Sequence, residues 1–237
     1  MTRTWNDPVS GMTFVRIEAG TFQMGSPAAE PGREPQETPH PARIERAFWI
    51  GAHEVTQEAW QRVMGTNPSH FTGDPRRPVE GVSWHDVQQF LTRLNARSAD
   101  GGFRLPSEAE WEYACRAGTA TPFSTGATID QAQANIAGDI EDAIDGRGAT
   151  MPVGGFAANA WGLYDMHGNV WEWTADDHCP YPEGAHVSPT CASPLKVIRG
   201  GSWYYEADSA RCALRYTHRP QDRGFSLGFR VARDETP

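Results

Sequence analysis

Val197-Ile198-Arg199-Gly200-Gly201-Ser202-Trp203, followed by Arg211-Cys212-Ala213-Leu214-Arg215 and closed by Leu227-Gly228-Phe229-Arg230-Val231, decides how this chain is read. Lys196–Arg199 and Gly228–Val231 have the short apolar–polar alternation of strands. No helix pattern follows Gly200-Gly201, so the pair is not a phosphate loop. It marks instead a tight backbone approach, expected under Trp203. Ser202 has no His or Asp partner in an elbow pattern, which leaves a hydrolase triad unsupported.

Working outward, three helices are marked by their ends. Thr56 caps a helix through Ala59, Trp60 and Val63 that stops at Gly65. Ser83 with Asp86 opens a second, whose Val87, Phe90, Leu91 and Leu94 make an amphipathic stripe. Ser107 and Glu110 form the capping box of a third, which ends at Gly118. Phe14–Ile17 reads as a strand with Thr21–Gly25 as its hairpin partner, and Ala47–Ile50 as another. Residues 26–41 read as a surface loop and 1–11 as a loose lead-in, leaving 12–237 as one domain. About three helices, short strands and many loops define an α+β fold.

The 237 residues suffice for one large core. With 24 Gly, 18 Pro and nine Trp, the fold is loop-rich and packed by indoles. A net charge of −9 provides no basic stripe, which argues against nucleic acid. No stretch reaches 18 consecutive apolar residues, so no membrane span is expected. Residues 1–9 lack an apolar signal core, which points to the cytoplasm, with a secreted location as the alternative.

Three ordered motifs carry a resemblance: the opening stretch, Arg104-Leu105-Pro106-Ser107-Glu108-Ala109-Glu110-Trp111-Glu112, and Gly162-Leu163-Tyr164-Asp165-Met166-His167-Gly168-Asn169-Val170-Trp171-Glu172-Trp173. Across 12–232 the chain resembles the formylglycine-generating, sulfatase-modifying enzyme family. The resemblance implies that family's variant of the C-type lectin-like fold. It also implies a Cys115–Cys212 disulfide, two thiols in contact being the alternative in a reducing compartment. The family's oxidases hold copper with two cysteines just after the Arg-Gly-Gly-Ser run. Here Tyr204, Tyr205, Glu206, Ala207 and Asp208 stand there. A Cu(I) site needs soft thiolates, so no copper is expected.

Two structural calcium sites are implied by the same resemblance. One maps to Asn135, Ile136, Asp145 and Arg147, the other to Asp165, Gly168, Val170 and Glu172. Mixed carboxylate, amide and carbonyl oxygens are what calcium accepts. The alternative for Asp165 and Glu172 is backbone N–H and Arg partners without an ion. Cys179 and Cys191 bracket a Pro-rich loop that a second disulfide would close. Zinc on His178, Cys179, His186 and Cys191 is the weaker reading, because the spacing matches no common zinc pattern. Glu54 is expected to be a buried or hydrogen-bonded acid.

Tyr204, Tyr205, Asp208, Ser209, Leu214, Tyr216, His218, Arg219, Phe225 and Ser226 are interleaved with scaffold-like Arg211, Cys212, Arg215, Arg223 and Arg230. Aromatic and small polar residues on a rigid frame are the chemistry of a paratope. The segment is similar to the C-terminal region of variable proteins from diversity-generating retroelements. Residues 197–237 are therefore expected to bind a protein or other macromolecular ligand without catalysis. The alternative is an oxidase of the formylglycine-generating or non-heme-iron type, acting on a protein cysteine or small molecule. His85, His167 or His218 would then have to hold its metal.

Overall fold

Local capping chemistry sets the helices. Thr56 accepts from Ala59 N at 3.1 Å, and the helix α1 (Gln57–Met64) ends on Gly65 in the left-handed region. Ser83 and Asp86 complete a reciprocal box ahead of α2 (Trp84–Arg97), whose Val87, Phe90, Leu91 and Leu94 are buried as the stripe requires. Ser107 and Glu110 do the same for α3 (Glu108–Arg116). Ala117 takes the C-cap in the left-handed region (φ 45°), and Gly118 follows as C′, also at positive φ (91°).

The computed structural model describes residues 3–138, 148–181 and 191–235. Its strands in chain order begin with β1 (Thr4–Asn6), β2 (Thr13–Ile17), β3 (Gly20–Met24), β4 (His40–Ile44), β5 (Phe48–Gly51) and β6 (Phe103–Arg104). After α3 come β7 (Trp171–Asp177), β8 (Lys196–Arg199), a 3-10 turn (Ala207–Ala210), β9 (Tyr216–His218), β10 (Leu227–Gly228) and β11 (Ala232–Asp234). The order β1-β2-β5-β11-β6 makes one antiparallel sheet and β10-β7-β8-β9 a second, with β10 parallel to β7. The result is an α+β, C-type lectin-like fold.

Three expectations need correction. The lead-in is ordered: β1 pairs with β2, and Asp7 and Ser10 are buried. The hairpin partner of β3 is β4, because β1 and β5 already occupy both edges of β2. The strand expected over Gly228–Val231 is split. Leu227–Gly228 belongs to one sheet, and the chain crosses to the other before β11. Gly228 lies at this crossing so close to the segment between α1 and α2 that a Cβ on it would sit 2.5 Å from the Val79 carbonyl. Only glycine permits that crossing.

Short ladders leave much of the holding to side chains. Trp49, Trp60, Trp111, Trp171 and Trp173 are buried, as the motif reading required. Arg199, Arg211, Arg215 and Arg230 are also fully buried, each on carboxylates. Arg199 donates to Glu112 at 2.6 Å, Arg215 to Glu108 through two bonds of 2.8 Å, Arg211 to Glu30 and Glu37, and Arg230 to Glu172. Against the opposing effect of burial, Arg211 holds Glu37, and Arg199 with Arg215 holds Glu108, below the usual carboxylate range. All four cysteines are in disulfides, Cys115–Cys212 and Cys179–Cys191. The first spans 97 residues, a constraint of about 4–5 kcal/mol on the unfolded chain. It ties α3 to the C-terminal segment.

Candidate ligand surface and cation sites

β8 delivers the chain into Gly200 (φ 99°) and Gly201 (φ 71°). A Cβ on Gly200 would meet Trp111 at 3.1 Å, and one on Gly201 would meet the Ser209 carbonyl at 2.9 Å. The close approach is therefore onto Trp111 and Ala210, not under Trp203. Trp203 is half-buried and leads outward. Past it, buried Arg211 and Arg215 are interspersed with exposed Tyr204, Tyr205, Tyr216 and Phe225.

Among the described residues, the exposed large hydrophobic side chains are Tyr204 (53%), Tyr205 (38%), Tyr216 (51%) and Phe225 (59%). All four lie in the segment read as a binding surface. They belong to a continuous run of rings, Phe225–His70–Phe71–Trp203–Tyr204–Tyr205–Trp171–Tyr216–His218, with successive centroids 4.5 to 6.1 Å apart. Such edge-to-face and offset contacts hold rings in place beyond their area burial. Trp203 Nε1 donates to the Phe225 carbonyl at 3.2 Å, and Trp171 N to Ser226 O at 2.7 Å. Burial, and then the neighbouring phenols of Tyr216 and Tyr204, raise the Tyr205 pKa. Its hydroxyl stays neutral at neutral pH and can both donate and accept.

The other expected contact residues are distributed unevenly. His218 flanks the run, its Nδ1 3.3 Å from Asp222, and exposed Arg219 follows it. Ser226 is half-buried beside Phe225. Asp208 and Ser209 stand on the 3-10 turn, where Asp208 lines a separate open cavity of about 520 Å³ with Ile129, Ile136 and Glu206. Leu214 is buried within the main core beside the same scaffold as Trp171 and Phe229. Sequence reasoning missed His70, Phe71 and Trp171 as members of the run. The first two come from a loop some 130 residues upstream with no aromatic pattern of its own, and Trp171 read as core.

Each of the two implied calcium sets holds, among its described residues, a buried oxygen with spare accepting capacity. Asn135 is buried, its Nδ2 donates to Ala149 O and Asn169 Oδ1 at 3.1 Å, and its Oδ1 has no partner. An orphaned buried carbonyl is costly and suits a cation. Ile136 follows it; Asp145 and Arg147 lie outside the described residues. Around the second set, Glu54, Asp165 and Glu172 share one cation, Arg230. Glu54 is buried as expected and accepts from Asn169 Nδ2 (2.7 Å) and Val170 N (3.1 Å). Asp165 accepts from Gly154 N at 2.6 Å, and Glu172 from Arg230 and Trp111 Nε1, so the partners named for an ion-free site are present. Three acids to one arginine still leave surplus negative charge. Burial, followed by the Asp165 and Glu172 charges, pushes Glu54 well up, and burial takes Asp165 to about 6. A cation held by Asp165, Glu172 and the Gly168 and Val170 carbonyls would offset that charge. Glu172 Oε1 accepts only one bond and keeps a lone pair for it.

The disulfide Cys179–Cys191 removes the thiolates that the zinc reading needed, and His186 lies outside the described residues. His85, His167 and His218 do not form a ligand group. Among the described residues the one group of three His, Cys, Asp or Glu is Cys115, His167 and Cys212.

The fold and surface define a C-type lectin-like scaffold that presents aromatic side chains from its C-terminal segment. Residues 3–235 match the sulfatase-modifying factor enzyme 1-like domain, and the chain belongs to that family. It is 36% identical over 205 residues to the formylglycine-generating enzyme of Streptomyces coelicolor, covering 79% of this chain and 61% of that protein. The chain spans less than two thirds of the first curated relatives it matches, 38% and 61% of their lengths. Among solved structures, PvdO from Pseudomonas aeruginosa matches at a TM-score of 0.85 and 33% identity over 98% of each chain. Treponema denticola variable protein 1 matches at 0.81 and 28% identity over 99% of each. No helix among the described residues is long and apolar enough to cross a membrane.

Proposed function

We propose that this chain is a non-catalytic ligand-binding protein that displays residues 203–226 on a sulfatase-modifying-factor scaffold. The observation that carries the reading is the concentration of every exposed large hydrophobic side chain, among those described, on that one segment. Surface apolar residues this clustered mark interaction sites. Tyr and Trp are efficient contact residues because they bury area at little entropic cost. The likeness to a Treponema variable protein supports the same use of the fold. The ligand is a protein or other macromolecule, and calcium at the two oxygen-rich sites is structural.

Tyr204, Tyr205, Glu206, Ala207 and Asp208 stand where the family's copper oxidases carry two cysteines, which supports this reading over a copper–thiolate oxidase. The likeness to PvdO and to a formylglycine-generating enzyme favours one second reading, an oxidase that uses another metal. The test has two arms. A partner captured by the wild-type protein is identified and titrated by calorimetry against Tyr205→Ala/Phe225→Ala. The double variant is expected to bind at least about 30-fold more weakly, as two interface aromatics do; unchanged affinity contradicts the proposal. Elemental analysis is expected to find calcium. Stoichiometric copper or iron, with oxygen consumed on adding a Cys-containing peptide, would establish the oxidase.

A further inference from the structure

Cys115, His167 and Cys212 are all buried, and their ligand atoms lie within 4.8 Å of one another. The two sulfurs are bonded, and Cys115 Sγ is 4.0 Å from His167 Nε2. The imidazole is fixed as a ligand would be. Its Nδ1 lies 2.7 Å from the Ala210 carbonyl, which can only accept, so the proton is on Nδ1. Nε2 presents its lone pair to the Ser124 N–H at 3.1 Å, with the Ser124 hydroxyl 2.9 Å away. A carbonyl behind the far nitrogen is what orients histidine in zinc sites.

We propose that these side chains form a redox-gated site for a thiophilic divalent cation, zinc by its chemistry. The disulfide closes the site in the oxidised chain, and the metal closes it in the reduced one. A dithiol reductant transfers two electrons and two protons to the Cys115–Cys212 bond, leaving two thiols and becoming a disulfide itself. Zn²⁺ then displaces the two thiol protons and takes the Nε2 lone pair from the Ser124 N–H, breaking that hydrogen bond. Two thiolates, the imidazole and an oxygen, from the Ser124 hydroxyl or a water, complete the tetrahedral set zinc prefers. The thiolates cancel the charge of the dication, so the buried centre is neutral, as a dry interior requires. The tie between α3 and the C-terminal segment is thus kept when the covalent bond is lost.

Cobalt(II) is the probe. The full chain carrying Cys179→Ser and Cys191→Ser is reduced, freed of reductant under nitrogen and titrated with Co²⁺. One equivalent is expected to bind with a thiolate-to-cobalt charge-transfer band that Zn²⁺ abolishes, and the oxidised protein should give none. His167→Ala should weaken binding at least about a hundredfold, because a ligand is lost where even supporting residues cost 10–100-fold. No band, a band that survives Cys115→Ser, or unchanged affinity in His167→Ala overturns the site. Should His167→Ala fail to fold, alkylation of the reduced protein decides. Zn²⁺ must slow modification of Cys115 and Cys212 by iodoacetamide, and equal rates with and without zinc overturn the proposal.

Discussion

The same C-terminal stretch supplies four fully buried arginines and, among the described residues, every exposed large hydrophobic side chain. Arg199, Arg211, Arg215 and Arg230 are at most 1% exposed and locked on carboxylates, whereas Tyr204, Tyr216 and Phe225 are more than half exposed. Neighbours in sequence take opposite fates, as Arg215 and Tyr216 do. The contrast teaches that holding and displaying are separate tasks given to different residues of one segment. An arginine fork reaches back to α3, to the 26–37 loop or, from Arg230, to Glu172 on β7, while the exposed rings make no salt bridge to the frame. A surface built this way tolerates exchange of its rings, because the frame beneath does not depend on them.

The largest effect is expected where the frame is cut. Glu112→Ala strips Arg199 and Arg116 of a shared carboxylate and should cost about 3–5 kcal/mol in chemical denaturation, because a buried charge is left unpaired. A loss under about 1 kcal/mol would mean that the arginines are not what holds the segment. Calcium removal comes next. A chelator should lower stability by about 2.7 kcal/mol if the ion had been present at a hundred times its Kd, with recovery on adding back calcium. An unchanged Tm would leave the surplus acids around Arg230 without a cation.

His167 sharpens the comparison through pH. Burial, aided by Arg230 and opposed by the Ala210 bond, brings it down to about 4 from an unfolded value of about 6.5. The unfolded chain therefore takes up the proton first. The contribution is intact above pH 6.5 and is lost as pH falls toward 4. Between pH 7.5 and 5 the stability gap between wild type and His167→Gln should narrow by about 2 kcal/mol, 1.5 pH units at 1.36 kcal/mol each. A gap independent of pH would contradict the buried neutral imidazole. The smallest effect is expected on the displayed side. Tyr204→Ala and Phe225→Ala should each change stability by no more than about 0.5 kcal/mol. A larger loss would make these rings part of the core.

Much of this contrast was legible in the residues. The caps Thr56, Ser83 and Ser107 are local chemistry, so sequence alone marks where the helices begin, and the Val87–Leu94 stripe names its own buried face. Display positions were legible as aromatic composition on a motif-bearing frame. Leu214 shows the limit, since composition cannot tell an outward Leu from a core one. What stayed hidden joins distant parts of the chain. Arg211 meets Glu30 across 181 residues, β3 finds β4 instead of β2, and His70 stacks on Phe225. Such pairings leave no periodic mark, because their partners are chosen by the closed fold.

Hydrogen–deuterium exchange on the protein with and without its captured ligand tests the division between frame and display most directly. Protection on binding is predicted at 203–205 and 216–226, together with 70–71, while 197–202 and 227–233 stay slow in both states. Protection centred elsewhere, with 203–226 unchanged, would contradict the account.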